Sequence, residues 1–531
     1  MRINIARFAW LAVAVSFMGV VGCAPNPGEP NPETHRGEET GAVTEGSAQV
    51  MTDNGVIIEG ISGGTHNRFL GIRYAKPPVD ELRFMPPQPL DADEVTTDAT
   101  SFGNRSYQVG VVELFLGDRE TPGEESEDCL FLNVYTPPEL TGNRPVLVWI
   151  HGGAYQNGSS HEYEATELVE NHDVVVVTIN YRLGIFGFLN LSDLGGDYAD
   201  SVNLGTQDQV AALNWVSDNV SAFGGDPENV TIFGQSAGGN AVFSLLATPS
   251  AEGLFGKAMA LSGGEVLNPP SDDVELMKGY LKLDSDAQVI ERLRSMTAEQ
   301  LVETHVSAGF QPNTAIDGEV ISQRPSQAVR EGWASEIPIL TGTTQDDGVA
   351  LAPPFAPTDE LGELFISILA YDVVAGGDPA EYLNFLDESL ADSSVVDRLG
   401  RVWYDIFRSS ALRIASSASE YGAGGWVYNF EVPTDHPLGI THGAQIPFLF
   451  RWIEPNHPGI LFHEPTPENQ QLSEQWSDTL VEFARTGSPN GHGLPTWSKF
   501  EADSFSSLRV DLNSELVDGP DEELLDIYGV R

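Results

Sequence analysis

Two runs near the middle of the chain are apolar at almost every position: Val146–Ile150 (Val-Leu-Val-Trp-Ile) and Val174–Ile179 (Val-Val-Val-Val-Thr-Ile). A strand covered on both faces reads this way, which predicts parallel strands buried in a sheet. Asn229–Ile232 is a third such run, short and rich in β-branched residues, and Ile337–Leu340 and Trp426–Phe430 follow later. Val56–Gly60, Arg68–Tyr74 and Leu130–Tyr135 come earlier and predict antiparallel strands. A helical pattern over Gln207–Phe223 separates the second apolar run from the third, and Asp272–Arg330 and Ala350–Ala418 are helix-rich. Strands that alternate with helices after an antiparallel start predict an α/β fold: one large mixed, mostly parallel sheet flanked by helices. The helical insertions would overhang the C-terminal edge of that sheet, where ligands bind in open α/β folds.

The beginning of the chain breaks the pattern. Arg2 and Arg7 precede the apolar run Phe8–Val21, which is short for a membrane span and reads as a signal peptide over residues 1–22. The run ends Val20-Val21-Gly22-Cys23, which resembles a bacterial lipobox, whose cysteine receives a lipid after cleavage. The alternative is an ordinary secretory signal that happens to end near a cysteine. The expected location is therefore the bacterial cell envelope, reached through a lipid on Cys23, and Ala24 in the next position points to the outer membrane in a two-membraned cell. Residues 23–47 are mostly Pro, Gly, Glu, Thr and Asn and read as a disordered acidic tether. The folded domain is expected over residues 48–531.

Charge narrows the partners. The chain has 78 Asp and Glu against 27 Lys and Arg, a formal net charge of −51. No basic stripe exists to neutralise phosphates, which argues against nucleic acid, and anionic lipid headgroups would be repelled. The only membrane contact expected is the N-terminal lipid. Such an excess of one sign also opposes compaction, and salt screens it: the Debye length falls from about 30 Å at 0.01 M to about 3 Å at 1 M. The melting temperature is expected to rise with sodium chloride across that range; a flat curve would show that the acids are spaced or paired well enough to be harmless. The chain has 2 cysteines, Cys23 and Cys129. With Cys23 lipidated, Cys129 has no partner and there is no disulfide framework.

The chemistry concentrates after the third apolar run. Phe233-Gly234-Gln235-Ser236-Ala237-Gly238-Gly239 places Gly-x-Ser-x-Gly between a strand and the helical segment Asn240–Leu246. That context makes the motif a nucleophile elbow, with Ser236 exposed on a strained turn, rather than a glycine-rich turn that happens to hold a serine. A serine hydroxyl needs a base, and in this arrangement the acid and then the histidine follow it along the chain. Six of the 11 histidines follow Ser236, and His442 and His436 share the loop after Trp426–Phe430. Asp346 and Asp347 follow Ile337–Leu340, and position alone does not choose between them. His151-Gly152-Gly153-Ala154 directly follows Val146–Ile150, where half of an oxyanion hole belongs; the other donor would be the N–H of Ala237.

Two long stretches carry a family resemblance. Phe223–Gly239 resembles the signature of the type-B carboxylesterase/cholinesterase family, and Glu127–Tyr135 is similar to its second marker. Shorter matches are Gly71–Pro78, Arg83-Phe84, Asn180–Gly184 and Phe483–Gly487. The resemblance implies an α/β-hydrolase fold and a serine carboxylesterase that acts through an acyl-enzyme. It also implies the partners. The family acid lies in Asp-acid-Gly, here Asp346-Asp347-Gly348, which selects Asp347; its histidine lies in His-Gly-x-x-Ile/Leu-Pro, here His442–Pro447, which selects His442.

Four departures matter. The family acid is usually glutamate, so Asp347 must be approached more closely by the histidine. The family's first disulfide joins the cysteine matching Cys129 to one near Ser106, and that partner is missing. Residue 235 is Gln where cholinesterases carry an acid, and the loop from Ser106 to Cys129 has no tryptophan for a quaternary ammonium.

The expected site is thus Ser236, Asp347 and His442, with Gly152, Gly153 and Ala237 as oxyanion donors, acting on a small carboxylic ester. No metal and no cofactor are expected. The competing class is a catalytically silent surface adhesion module of the same fold, which typically lacks a triad member. A lipase acting on long acyl chains is the rival enzyme, and the oligomeric state is not legible.

Overall fold

The expected alternation of strands and helices appears as one 12-stranded sheet in the order β1-β2-β3-β4-β6-β5-β7-β8-β9-β10-β11-β12. The structure is a computed structural model that describes residues 46–530 apart from 53–54, 92–93, 110–122, 266–267, 354–355, 357, 455–456, 458–461 and 502–503. The signal segment, Cys23 and the tether up to residue 45 lie outside the described residues. The strands are β1 Gly46–Met51, β2 Ile57–Ser62, β3 Asn67–Arg73, β4 Phe131–Thr136, β5 Arg144–Ile150, β6 Val175–Ile179, β7 Gly225–Gln235, β8 Lys257–Leu261, β9 Ile339–Thr344, β10 Gly425–Phe430, β11 Ser507–Val510 and β12 Glu515–Val517. β1 to β4 are antiparallel, β4 meets β6 antiparallel, β6 through β11 are parallel, and β12 returns antiparallel.

Residues in β5 divide with the two-residue period of a strand. Val146, Val148 and Ile150 enter one core, shared with Leu213 and Val216 from the helix Leu204–Asn219 and Val242 from the helix Ala237–Leu245. Leu147 and Trp149 enter the other, shared with Leu472, Trp476 and Phe483 from the helix Pro467–Thr486. β6 divides the same way, with Val175 and Val177 on the first face and Val176 on the second. Both faces are therefore dry, which is why these runs carry no polar alternation. Each such side chain contributes roughly 1.5–3 kcal/mol by leaving water.

Some boundaries differ from the sequence expectation. The helix expected over Gln207–Phe223 begins at Leu204, ends at Asn219 and continues as a single tight turn to Phe223. β1 begins at Gly46, ahead of the expected boundary at residue 48, because Gly46 and Ser47 continue the ladder opposite Ser62 and Ile61. The edge strands β1 and β12 carry no long apolar run, since edge strands have one pairing partner and little to bury; β11, between β10 and β12, is only four residues long.

The long helix Val395–Tyr421 starts on a capping box in which Ser394 and Asp397 satisfy each other's backbone N–H. With the helices Asp359–Val373 and Ala380–Ser389 it builds a third core beyond β10.

The order β6-β5-β7 is a topological switch: the chain leaves β5 to one side for β6 and later returns to its other side as β7. Crevices open at the C-terminal ends of strands at such a point. β5 ends at Ile150 and β7 pairs with it there through Gly234, so His151-Gly152-Gly153 and Ser236 leave the sheet side by side.

Candidate active site

Ser236 sits between the last residue of β7 and the first of the helix Ala237–Leu245, with φ 60° and ψ −126°. That conformation is rare for a residue with a Cβ and costs of order 1–3 kcal/mol. Its main chain is held at both ends: the N–H donates to the Leu261 carbonyl at 2.9 Å, and the carbonyl accepts the Asn240 N–H at 2.9 Å. The turn is tight enough that a Cβ on Gly238 would lie 2.0 Å from the Ile150 carbonyl oxygen. This is the physical reason for a glycine two residues after the serine. The side chain of Ser236 is partly exposed, at the positive end of the helix dipole.

Gly152 lies against the elbow, such that a Cβ there would stand 3.0 Å from the Ser236 Cβ. The turn that follows reverses sharply through Gly153 (φ 104°), Ala154 (φ 54°) and Tyr155 (φ 58°). Among the described residues, no backbone hydrogen bond uses the N–H of Gly152, Gly153, Ala154 or Ala237. These donors therefore remain for a ligand. His151 fixes the turn from behind: its Nδ1 is 2.8 Å from the Gly152 carbonyl and its ring stacks on Tyr181 at 4.5 Å. Tyr181 also donates its hydroxyl to the His151 carbonyl at 2.8 Å. Burial pushes the His151 pKa down to about 4, so the ring is neutral near pH 7 and donates through Nδ1.

His442 and Asp347 meet on loops that follow β10 and β9. Nδ1 of His442 is 2.5 Å from Oδ1 of Asp347, and the other carboxylate oxygen accepts the Thr344 N–H at 3.0 Å. Asp347 is fully buried and His442 is buried. A carboxylate only accepts, so the shared proton sits on Nδ1 and Nε2 keeps its lone pair. Nε2 is buried and has no hydrogen-bond partner among the described residues. Phe407, on the helix Val395–Tyr421, lies face to face with the imidazole at 5.2 Å and 21°.

The rival residues stand elsewhere. Asp346 accepts the Ile440 N–H at 2.9 Å. His436 accepts the Leu438 N–H at 3.3 Å and packs edge-on against Phe462 at 5.0 Å. Among the described residues, neither side chain is hydrogen-bonded to Asp347 or His442. Nothing in the local pattern around Phe407 marks it, and Tyr181 lies in the matched stretch Asn180–Gly184 with no role attached to it; long-range packing brings both to the site.

Cys129 is free and fully buried. Burial, with Asp208 nearby, pushes its thiol far above the ordinary range, so it is not a nucleophile at neutral pH. Where the resemblance would place a disulfide, the ends of the segment are held by Arg83–Glu127, Arg73–Asp128 and Arg105–Glu125 ion pairs.

An elbow after the strand beside the switch point, on a mostly parallel sheet wrapped by helices, defines this molecule as an α/β-hydrolase. Comparison with known proteins sharpens that class. The profile of the carboxylesterase family matches residues 46–524. Para-nitrobenzyl esterase of Bacillus subtilis (strain 168) is 34% identical over 491 residues, covering 90% of this chain and 97% of its own. Carboxylesterase 1D of Rattus norvegicus is 32% identical, covering 82% of this chain and 83% of its own. Among solved structures, a thermophilic para-nitrobenzyl esterase superposes with a TM-score of 0.80 at 33% identity, over 90% of this chain and 99% of its own. The carboxylesterase of Geobacillus stearothermophilus superposes with a TM-score of 0.78 at 34% identity and the same coverage. The chain belongs to the carboxylesterase family and is a carboxylic ester hydrolase.

Proposed function

We propose that this chain hydrolyses small carboxylic esters through a Ser236–His442–Asp347 triad and a covalent acyl-enzyme. The observation that carries the reading is the Asp347–His442 hydrogen bond, which leaves the basic Nε2 as the free end of the pair. Ser236 attacks the ester carbonyl while Nε2 takes its proton, and Asp347 holds the ring and stabilises the imidazolium. The N–H groups of Gly152, Gly153 and Ala237, with that of Ala154 in the same turn, receive the negative oxygen. His442 then protonates the leaving alcohol, and water repeats the sequence on the acyl group. Each preorganised oxyanion donor is worth roughly 2.7–4 kcal/mol of barrier.

A fluorophosphonate ester tests the covalent step, since it traps an activated serine. Loss of para-nitrophenyl ester hydrolysis should track labelling, and peptide mass spectrometry should place one adduct on Ser236. A label on another residue, or turnover that survives complete labelling of Ser236, overturns the mechanism.

The apolar run before Cys23 supports a second proposal, that the protein is exported and anchored in the cell envelope, in the outer membrane of a two-membraned cell, by a lipid on Cys23. Residues 23–45, ahead of β1, would then space the domain from the membrane. The mature N-terminus should be a modified Cys23 by mass spectrometry, and Cys23→Ser should shift the protein out of the membrane fraction. An unmodified N-terminus downstream of residue 23 refutes the anchor.

A further inference from the structure

Asp346 is the residue next to the acid, and its carboxylate is turned away from the imidazole and onto the histidine's own loop. Its Oδ2 accepts the Ile440 N–H at 2.9 Å, its backbone N–H donates to the Ile440 carbonyl at 3.1 Å, and residues 346 and 441 form an isolated parallel bridge. Asp347 holds the His442 ring, and Asp346 holds the main chain two residues before it. The two loops start in register, since β9 and β10 pair up to Thr344 opposite Phe430 and the Gln345 N–H donates to the Phe430 carbonyl at 3.0 Å. From there residues 431–439 leave the sheet, and the chain returns to the acid loop at Ile440. An excursion of that length does not by itself fix where it comes back.

Gly439 shows that the carboxylate's place is built. It has φ 65°, and a Cβ there would stand 2.3 Å from Oδ2 of Asp346. Glycine is therefore needed twice at this position, for the left-handed backbone and for the room that Asp346 occupies.

We propose that Asp346 is a positioning residue for catalysis: by clamping Ile440 it draws the His442 loop onto the acid loop, so that the short side chain of Asp347 reaches Nδ1. A glutamate would reach about 1.5 Å further by its extra C–C bond. With aspartate as the acid, the loop has to come to the carboxylate. The clamp works through a hydrogen bond to a backbone N–H, which an amide oxygen accepts as well as a carboxylate does. Its charge is not used. This inference rests on the proposed Ser236–His442–Asp347 triad.

Steady-state kinetics of the full chain on a para-nitrophenyl ester, with a kcat–pH profile and a thermal melt for each variant, test it. Asp346→Ala should lower kcat about 10- to 100-fold with KM within about twofold, as misplacement by about 1 Å does. Asp346→Asn should restore kcat to within about threefold of the parent, with the acidic limb of the profile unmoved. Gly439→Ala, which leaves both aspartates in the sequence but crowds Oδ2, should repeat the kcat loss and carries the test if Asp346→Ala does not fold. Adding Asp347→Glu to Asp346→Ala should recover part of the loss. A parental kcat in folded Asp346→Ala overturns the clamp. So does an Asp346→Asn protein that is as slow as Asp346→Ala or whose acidic limb shifts, because either outcome assigns the role to charge. His442→Ala separates the two readings: if it too keeps the parental kcat, the triad has failed rather than the clamp alone.

Discussion

Ser236→Ala is expected to lower kcat for ester hydrolysis by on the order of 10⁴–10⁶, with the melting temperature no lower than the parent's. The loss is large because, in the proposed mechanism, the hydroxyl oxygen is the atom that bonds to the substrate, and water placed nearby does not inherit the elbow's aim. It stops short of the uncatalysed rate because the proposed oxyanion donors, the N–H groups of the Gly152–Ala154 turn and Ala237, are untouched by the change. The fold should be indifferent to the change, since among the described residues no hydrogen bond involves the Ser236 hydroxyl. Circular dichroism and a thermal melt beside the kinetics make the comparison. Parental turnover by folded Ser236→Ala would place the chemistry elsewhere.

Removing the base or its orienting acid is expected to cost nearly as much. His442→Ala should lose a factor of about 10⁴–10⁶ in kcat and Asp347→Asn about 10⁴, each with KM little changed. Asparagine at 347 can present its NH₂ toward Nδ1 and so favour the tautomer with the proton on Nε2, the nitrogen that has to accept it. His436→Ala should stay within about threefold of the parent, because its ring meets Leu438 and Phe462 and is turned to its own loop. If His436→Ala proved the slower of the two histidine variants, the assignment of the base would be reversed. Effects of Ser236, His442 and Asp347 should not add, since the proposed triad works as a unit.

The parts of this site that the sequence disclosed are those set by local sterics. A glycine two residues after Ser236 is forced by the Ile150 carbonyl, and the forced glycine is what makes the elbow readable. The buried strands were readable because both faces of β5 and β6 are dry, so their composition is extreme. Asp346 and Asp347 were not separable by position, because both leave the same strand end and only their directions differ. The family resemblance selected Asp347, and Asp347 is the carboxylate that contacts His442. What stayed hidden is long-range. Phe407 comes to the imidazole from a helix of 27 residues whose pattern says only that one side is apolar. The Asp346–Ile440 clamp joins positions 94 residues apart, and the Arg83–Glu127 and Arg73–Asp128 ion pairs link separate matched stretches whose pairing the sequence alone does not show.

The strained backbone at Ser236 sets stability and turnover against each other at one position. Its cost of roughly 1–3 kcal/mol is a sizeable part of the roughly 5–15 kcal/mol by which a folded protein exceeds its unfolded chain. With Ser236 as the proposed nucleophile, selection for ester hydrolysis holds the serine there, and once that selection is lifted, drift and stability both favour glycine, which adopts φ 60° without strain. A lineage that kept this fold only for its surface would therefore shed its nucleophile early and gain stability as it did so, before the buried acid and histidine had changed.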